Sequence, residues 1–295
     1  MSVANASKPN VSKVILERLK TLDDLPHFPD ALVKLERSLS SNDNVQVEEM
    51  VQLIAQDPRL AAGLIGVVNT AKYTTGTQIS DLSEAIMRVG INDVRVMAHA
   101  INYKSSFKSK PPFSEKLYLQ HALLSAFVAQ SLARSLHINV GEAFLCGLMH
   151  DIGIYLLAVE DREGYLKVIE LAGEDVSKLI AAENQVFGTQ HAMMSARLLQ
   201  QWKFPQDVIM GVVHHHAPEK ADGQFQAYAY LTYLSEQAVF RLGVANGVTD
   251  LSPEDREQPS EALFSALEYF GLALETFDEL IQEAHEQAKN SGMAS

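Results

Sequence analysis

A histidine and an aspartate, His150 and Asp151, lie side by side in the otherwise apolar run from Gly147 to Ile154. A charged group that is buried alone is costly, so this pair needs a partner inside the fold. An imidazole nitrogen and a carboxylate oxygen are both good ligands for first-row metal ions. The pair therefore indicates either a metal site or a helix end at which both side chains hydrogen-bond to backbone.

Further histidines lie before and after this pair. His121 precedes it, a lone His191 follows, and then come three consecutive histidines at 214–216. Neighbouring residues on a helix point about 100° apart, so three consecutive histidines cannot all face one ion. The order of these residues is more specific than any one of them. The candidate ligands are His121, His150, Asp151, His191 and two of His214, His215 and His216.

Two long helices should carry the first three candidates. Hydrophobic residues at the helical period predict a helix at 114–136, which contains His121, and another at 142–159, which contains His150 and Asp151. The short turn at 138–141 should make the two helices antiparallel. Counted from the turn, His121 and His150 differ in depth by about five residues, or ~7 Å at the helical rise. A shared ion is therefore geometrically allowed.

The later histidines are placed by helix ends. Thr189 can cap the helix that begins near His191, and the positive potential at a helix N-terminus favours the neutral imidazole that binds metal. Pro205 should start the helix that leads to the three histidines, and Pro218 should stop it.

The rest of the chain also shows helical patterns, without the alternation typical of strands. Residues 1–105 predict five or six short helices, which follow a leader at 1–10. The last third predicts a helix at 224–243, a loop at 246–260 and a helix at 260–290. We interpret His27 and His99 as structural or surface histidines. The predicted fold class is all-α.

Composition excludes several classes of function. The net charge of −13 disfavours nucleic acid and anionic lipid as partners. No apolar run approaches the ~18 residues that a membrane helix needs, and the first ten residues lack the layout of a signal peptide. The single cysteine, Cys146, lies in an apolar run and is interpreted as a buried, inert thiol. We therefore expect a cytoplasmic protein.

Several segments together resemble the HDOD family, bacterial domains within the HD superfamily of metal-dependent phosphohydrolases and related to HD-GYP proteins. The resemblance spans about residues 20–240. It is carried by Leu25-Pro26-His27-Phe28-Pro29, Ile54 to Leu60 (IAQDPRL), Asn69-Thr70-Ala71, Ile79 to Ile86 through Gly90, the His-Asp pair, Phe187-Gly188 with His191, Leu198-Leu199 with Trp202, and Pro205 up to His214-His215.

This resemblance implies a helical N-terminal lobe packed on an HD-type core. On this basis we predict a leader and first helix at 1–20, the N-terminal lobe at 21–110, an HD-like core at 111–245 and a C-terminal helical extension at 246–295.

The resemblance also implies a ligand set. His121, His150 and Asp151 match the first metal ligands of active HD phosphohydrolases, in which a later aspartate completes the site; here Glu236 stands in that region. His191 and the pair His214-His215 match positions that supply a second metal in HD-GYP phosphodiesterases.

Three features depart from the catalytic relatives. Ile154 replaces a lysine that holds the substrate phosphate, Leu117 replaces an acidic ligand, and the glycine-tyrosine-proline segment is absent after His215. An isoleucine cannot hold a phosphate.

We therefore expect a regulatory protein of bacterial signal transduction with a degenerate HD site that binds a divalent metal (Mn, Fe, Ni, Zn or Mg) and a signalling partner or nucleotide-like ligand. One alternative is a phosphohydrolase that acts on a nucleotide or cyclic (di)nucleotide, with Asp151 as the catalytic residue that orients the ion. The other is a helical interaction scaffold without metal.

Overall fold

Every regular element in the described part of the chain is helical, which confirms the predicted all-α class. The structure is a computed structural model that describes residues 30–41, 46–69, 78–105, 109–173 and 175–290. The predicted leader, the helix expected after it and the segment 25–29 with His27 lie outside these residues.

Five helices lie in the described part of residues 30–105, within the range predicted to form the N-terminal lobe. Asp57 caps the third helix through Arg59 and Leu60, with a proline in the first turn. At the other end, the Asn69 side chain bonds to the backbone of Ile65 and Ile79 and so fixes the exit of the chain. The helices are α1 (Asp30–Ser41), α2 (Val47–Ile54), α3 (Pro58–Val68), α4 (Leu82–Val89) and α5 (Ile91–Ser105).

A buried charge network joins this lobe to the core. The Arg95 guanidinium donates to the Glu36 carboxylate, and the His99 ring contacts the same carboxylate at 2.5 Å. His99 is thus a buried structural histidine. A methyl group on Gly141, the second residue of the helix Val140–Met149, would lie 2.0 Å from the Arg95 side chain, so the guanidinium packs directly against the core at this glycine.

The core is built on the antiparallel pair of helices that the sequence predicts. Ser114 caps the long helix Glu115–Leu136, and Asn139 caps the helix that follows the turn. A methyl group on Gly147 would lie 2.5 Å from the backbone oxygen of Ser125, so the glycine allows the two helices to approach closely. The core helices are α6 (Glu115–Leu136), α7 (Val140–Met149), α8 (Ile152–Glu160), α9 (Arg162–Ala172), α10 (Val176–Phe187), α11 (His191–Gln201), α12 (Gln206–Val213) and α13 (Gln226–Arg241), with a 3₁₀ turn at Pro218–Lys220.

The predicted helix at 142–159 is wrong in one respect, because it is two helices that meet at His150 and Asp151. Ser195, on α11, donates to the His150 carbonyl and accepts from the Gly153 amide. These hydrogen bonds replace part of the helical ladder at the junction. The break thus depends on a residue more than forty positions away.

The C-terminal extension is also more divided than predicted. The expected loop contains a short helix, α14 (Pro253–Glu257), and the expected helix at 260–290 is split into α15 (Glu261–Tyr269) and α16 (Leu274–Asn290). Gly271 has a φ of 63° between the last two, a backbone conformation that ends a helix. Helix α16 packs against α6.

Among the residues that the structure describes, one stretch, Val140–Glu160, is long and apolar enough by composition to cross a membrane. It comprises α7 and α8, and 89% of its most apolar window is buried inside the protein. Burial in the core accounts for its apolar character.

Candidate metal centre

Six side chains from five parts of the core converge around Asp151. Its Oδ1 lies 3.3 Å from Nε2 of His191, and its Oδ2 lies 3.4 Å from Nε2 of His150. Two groups of potential ligand atoms share this carboxylate, and within each group the atoms lie within 4.8 Å of one another. The first, the histidine-rich group, is Asp151, His191, His215 and His216; the second, the carboxylate-rich group, is His121, His150, Asp151 and Glu236.

Five atoms in the centre of this cluster are buried and make no hydrogen bond with the described residues. They are Nε2 of His121, His150 and His215 and both carboxylate oxygens of Asp151. Buried polar atoms without partners are costly and rare, and each needs an explanation. These five belong to the two groups that could each hold an ion, so metal coordination would satisfy all of them at once.

The tautomers of three rings are set by backbone carbonyls. Nδ1 of His150 lies 2.8 Å from the Gly147 oxygen, and Nδ1 of His215 lies 2.6 Å from the Val212 oxygen. Likewise, Nδ1 of His121 lies 3.1 Å from the backbone oxygen of Val244. A carbonyl oxygen only accepts, so each Nδ1 carries the proton and each neutral ring keeps its lone pair on Nε2. This is the arrangement of a histidine that binds metal through Nε2.

His191 has a different partner. Its backbone N–H and its Nδ1 both donate to Oε2 of Glu183, at 2.8 and 2.7 Å. Its Nε2 lies 2.7 Å from Nε2 of His216, whose other ring nitrogen is 3.8 Å from a carboxylate oxygen of Glu236. The two Nε2 atoms therefore face the same point in the cluster.

Electrostatics favours neutral rings at most of these positions in the metal-free protein. Burial, followed by the neighbouring His150, lowers the pKa of His121 to about 4. Burial also lowers the pKa of His150, and it holds the pKa values of His215 and His216 well below the usual range. These rings are thus available as ligands at neutral pH.

The acidic members behave differently from one another. Burial raises the pKa of Asp151, but the neighbouring His150 and His191 outweigh burial and hold this pKa below its usual value. Burial and then the charge of Asp151 raise the pKa of Glu236 well above its usual value. Asp151 is therefore the ionised centre of the cluster, and Glu236 is the carboxyl that holds its proton more tightly.

The expectation of a neutral His191 is wrong for the metal-free protein. Burial lowers the pKa of this ring, but the charge and hydrogen bond of Glu183 raise it to about 9. The adjacent carboxylate outweighs the helix N-terminus.

The structure also distinguishes among the three consecutive histidines. His214 belongs to neither group, and His216 takes the place that the family resemblance gave to it. The reason is that α12 ends at Val213, with His214 at its end, and the turn that follows directs the next two rings into the cluster. The structure brings together all the other predicted ligands: His121, His150, Asp151, His191, His215 and Glu236.

Supporting residues around the cluster were not predicted. Glu183 is buried on the same stripe of α10 as Leu179, Ala182 and Phe187, and a glutamate on an apolar stripe is a signal that the sequence does contain. Ser195 joins His150 to Gly153 as described above. These residues show no pattern of ligands in the sequence, because they act on backbone or on another side chain.

Two helices meet closely behind the His-Asp pair. A methyl group on Gly153 would lie 2.0 Å from the backbone oxygen of His191, so only glycine allows α8 and α11 to approach this far. From the other side, the Tyr118 hydroxyl donates to the Asp151 carbonyl at 3.3 Å. The backbone of the pair is thus held from both sides.

The cluster is almost closed to solvent. Six of its members are at most 1% exposed, whereas the His216 side chain is 20% exposed. Ile154, at the position of the phosphate-binding lysine in the catalytic relatives, is completely buried, and Leu117 is 38% exposed. Among the clustered side chains, only His216 borders the outside.

The helical core brings a His-Asp pair together with four more histidines and a glutamate, as expected from the resemblance to HD-type domains. The HDOD domain model matches residues 25–218. The chain belongs to the HDOD domain family, which confirms the resemblance seen in the sequence.

Solved structures support the fold. An HDOD domain protein of unknown function from Geobacter sulfurreducens aligns with a TM-score of 0.75 and 19% identity over 96% of both chains. A protein from Shewanella amazonensis, provisionally named a phosphohydrolase, gives 0.71 and 21% over 95% of this chain and 96% of its own. One from Marinobacter aquaeolei, provisionally named a signal transduction protein, gives 0.73 and 21% over 99% of this chain and 67% of its own.

An uncharacterised protein from Treponema pallidum is 27% identical over 205 residues. The match takes in 68% of this chain but 40% of the Treponema protein. The chain thus corresponds to less than half of that relative.

Proposed function

We propose that this protein is a regulatory module of bacterial signal transduction whose HD-type cluster binds divalent metal. The observation that carries the proposal is the set of five buried ligand atoms without hydrogen bonds, all within two groups that share Asp151. Nδ1 partners at His121, His150 and His215 leave their Nε2 atoms ready to coordinate.

The residues present fit two ions. Asp151, His191, His215 and His216 would hold one, and His121, His150, Asp151 and Glu236 the other. Imidazole ligands suit Zn, Fe and Ni, whereas a larger share of carboxylates suits Mn or Mg. A bound divalent ion supplies Lewis acidity toward a phosphoryl oxygen and toward water.

The burial of the ligand cluster favours a regulatory role over catalysis. Apart from His216, the cluster has almost no contact with solvent, and Ile154 supplies no group that could hold a phosphate. The ligands come from α6, the α7–α8 junction, α11, the end of α12 and α13, so metal binding would stabilise the packing of these elements together. We propose that a partner or nucleotide-like ligand in the bacterial cytoplasm responds to the metal-bound state. We also propose that residues 21–110 form the N-terminal lobe, residues 111–245 the HD-like core and residues 246–295 the C-terminal extension.

Catalysis on a phosphoester is the second candidate. Glu236 lies in one ligand group although its side chain is longer than that of aspartate, so the carboxylate-rich group has a full set of four residues. In this case Asp151 would orient the ions, and the substrate would approach beside His216.

Two measurements separate the candidates. Elemental analysis of the purified protein should find divalent metal at one or two equivalents per chain. If the protein holds no metal after incubation with Mn²⁺ or Zn²⁺, the interaction scaffold without metal is the remaining candidate. Hydrolysis of bis(p-nitrophenyl) phosphate in Mn²⁺ is then compared between wild type and Asp151→Ala. We expect no turnover above that of the variant; turnover that Asp151→Ala abolishes would make the protein an enzyme.

A further inference from the structure

Glu183 is a buried carboxylate outside both ligand groups. It is 0% exposed, and among the described residues no lysine or arginine pairs with it. Its Oε2 accepts from the backbone N–H and from Nδ1 of His191, and its Oε1 accepts from the Tyr165 hydroxyl at 3.1 Å. Two of the three hydrogen bonds of this carboxylate are thus made with one candidate ligand, His191.

A structural role explains only part of this arrangement. His191 begins α11, and its N–H is one of the free amides at a helix start, so Glu183 serves as a cap. A neutral oxygen would serve equally well as a cap. Among the described residues, the ion-pair partner of the carboxylate is the ring of His191 itself. The bond from Nδ1 is the contact that gains most from a negative charge.

The four rings with a bonded Nδ1 divide into two kinds. His121, His150 and His215 donate to neutral carbonyls, whereas His191 donates to a carboxylate. A carboxylate behind a ligating histidine fixes the ring and makes Nε2 a stronger donor. Only the histidine-rich group contains His191.

We infer that Glu183 is a positioning residue that makes the histidine-rich group the tighter of the two metal sites. The inference rests on the proposed metal binding and extends it to the order in which the sites fill. Tyr165 supports this role: its hydroxyl fixes the carboxylate, and its ring stacks with Phe187 at 6.1 Å between centroids.

Competition of the metal-free protein with a chromophoric chelator for Zn²⁺ tests the inference. Wild type should bind in two steps. Glu183→Gln keeps the size of the side chain and one acceptor oxygen for the His191 amide. It should weaken the first binding step by about 10–100-fold, which is the usual loss of metal affinity when such a partner is removed. The second step should stay unchanged. The matched control, Glu236→Gln, should weaken the second step instead.

Each result decides a separate claim. An unchanged first step in Glu183→Gln overturns the inference and leaves the proposed metal binding intact, whereas wild type that binds no Zn²⁺ overturns both. Equal weakening of both steps, with the same loss of melting temperature in chelator, would make Glu183 a structural cap only. If Glu183→Gln does not fold, Tyr165→Phe should weaken the first step by a smaller factor, and an unchanged first step in that variant overturns the inference.

Discussion

Asp151 should stabilise the protein mainly through metal, so its replacement by alanine separates the metal-bound state from the metal-free one. In chelator the variant loses the contacts of the Asp151 carboxylate with His191 at 3.3 Å and with His150 at 3.4 Å. It also loses a buried carboxylate whose two oxygens make no hydrogen bonds with the described residues. These changes have opposite signs, and we expect a net change within about 1 kcal/mol.

With metal present, the loss should be larger. A ligand that binds only the native state at 100 times its Kd stabilises it by about 2.7 kcal/mol. Because Asp151 belongs to both ligand groups, its removal should abolish this term for both ions. At about 2–4 °C per kcal/mol for a domain of 150–250 residues, the melting temperature should fall by roughly 5–10 °C for each ion that is lost.

The assay is thermal unfolding of wild type and Asp151→Ala, each in excess Mn²⁺ or Zn²⁺ and in chelator. His150→Ala, which removes a ligand of the carboxylate-rich group only, should show the same dependence on metal with a smaller fall in melting temperature. His214→Ala, which alters a histidine outside the cluster, is the control. A melting temperature that falls equally in both buffers would refute the reasoning, since the carboxylate would then act without metal.

Three further predictions concern other parts of the centre. His216→Ala should weaken Zn²⁺ binding by at least about tenfold, whereas His214→Ala should leave it unchanged, by chelator competition. Because burial puts the pKa of His121 at about 4, below the unfolded value of 6.5, the unfolded chain binds the extra proton between these values. Stability in chelator should therefore fall as the pH drops from 6.5 to 4, and His121→Asn should flatten this part of the profile of melting temperature against pH. Gly153→Ala places a methyl group 2.0 Å from the His191 oxygen, so it should cost at least about 1–3 kcal/mol in urea unfolding and weaken Zn²⁺ binding.

Each has a clear negative result. Equal affinities of the two histidine variants would remove His216 from the ligand set. A profile that His121→Asn does not alter would mean that this ring is not kept neutral by the fold. Unchanged urea stability in Gly153→Ala would mean that α8 and α11 separate without cost.

Much of the fold could be predicted because its signals are local. Ser114, Asp57 and Gly188 mark helix ends by side-chain caps or by a positive φ, and each lies within a few residues of the end it defines. The break at His150 and Asp151 has no such signal, because the hydrogen bonds that stabilise it come from Ser195. Because the apolar run has helical propensity on both sides of this pair, the sequence predicts one continuous helix.

The site was predictable to the level of residue type. Histidines and Asp151 stand out as ligands by their residue type and their order, and six of the predicted positions do converge. The choice among three consecutive histidines was not predictable, since it depends on where α12 ends. Glu183 was missed for a different reason: it contacts a ligand instead of forming part of the ligand pattern.

The hydrogen bond from His121 to Val244 has a consequence for where the functional unit ends. The family match stops at residue 218, yet the carbonyl that sets the His121 tautomer and the carboxyl of Glu236 both come later in the chain. A fragment trimmed to the match would retain the histidine-rich ligands and lose this support on the opposite side of Asp151. The stretch beyond the match is thus as much a part of the centre as the His-Asp pair.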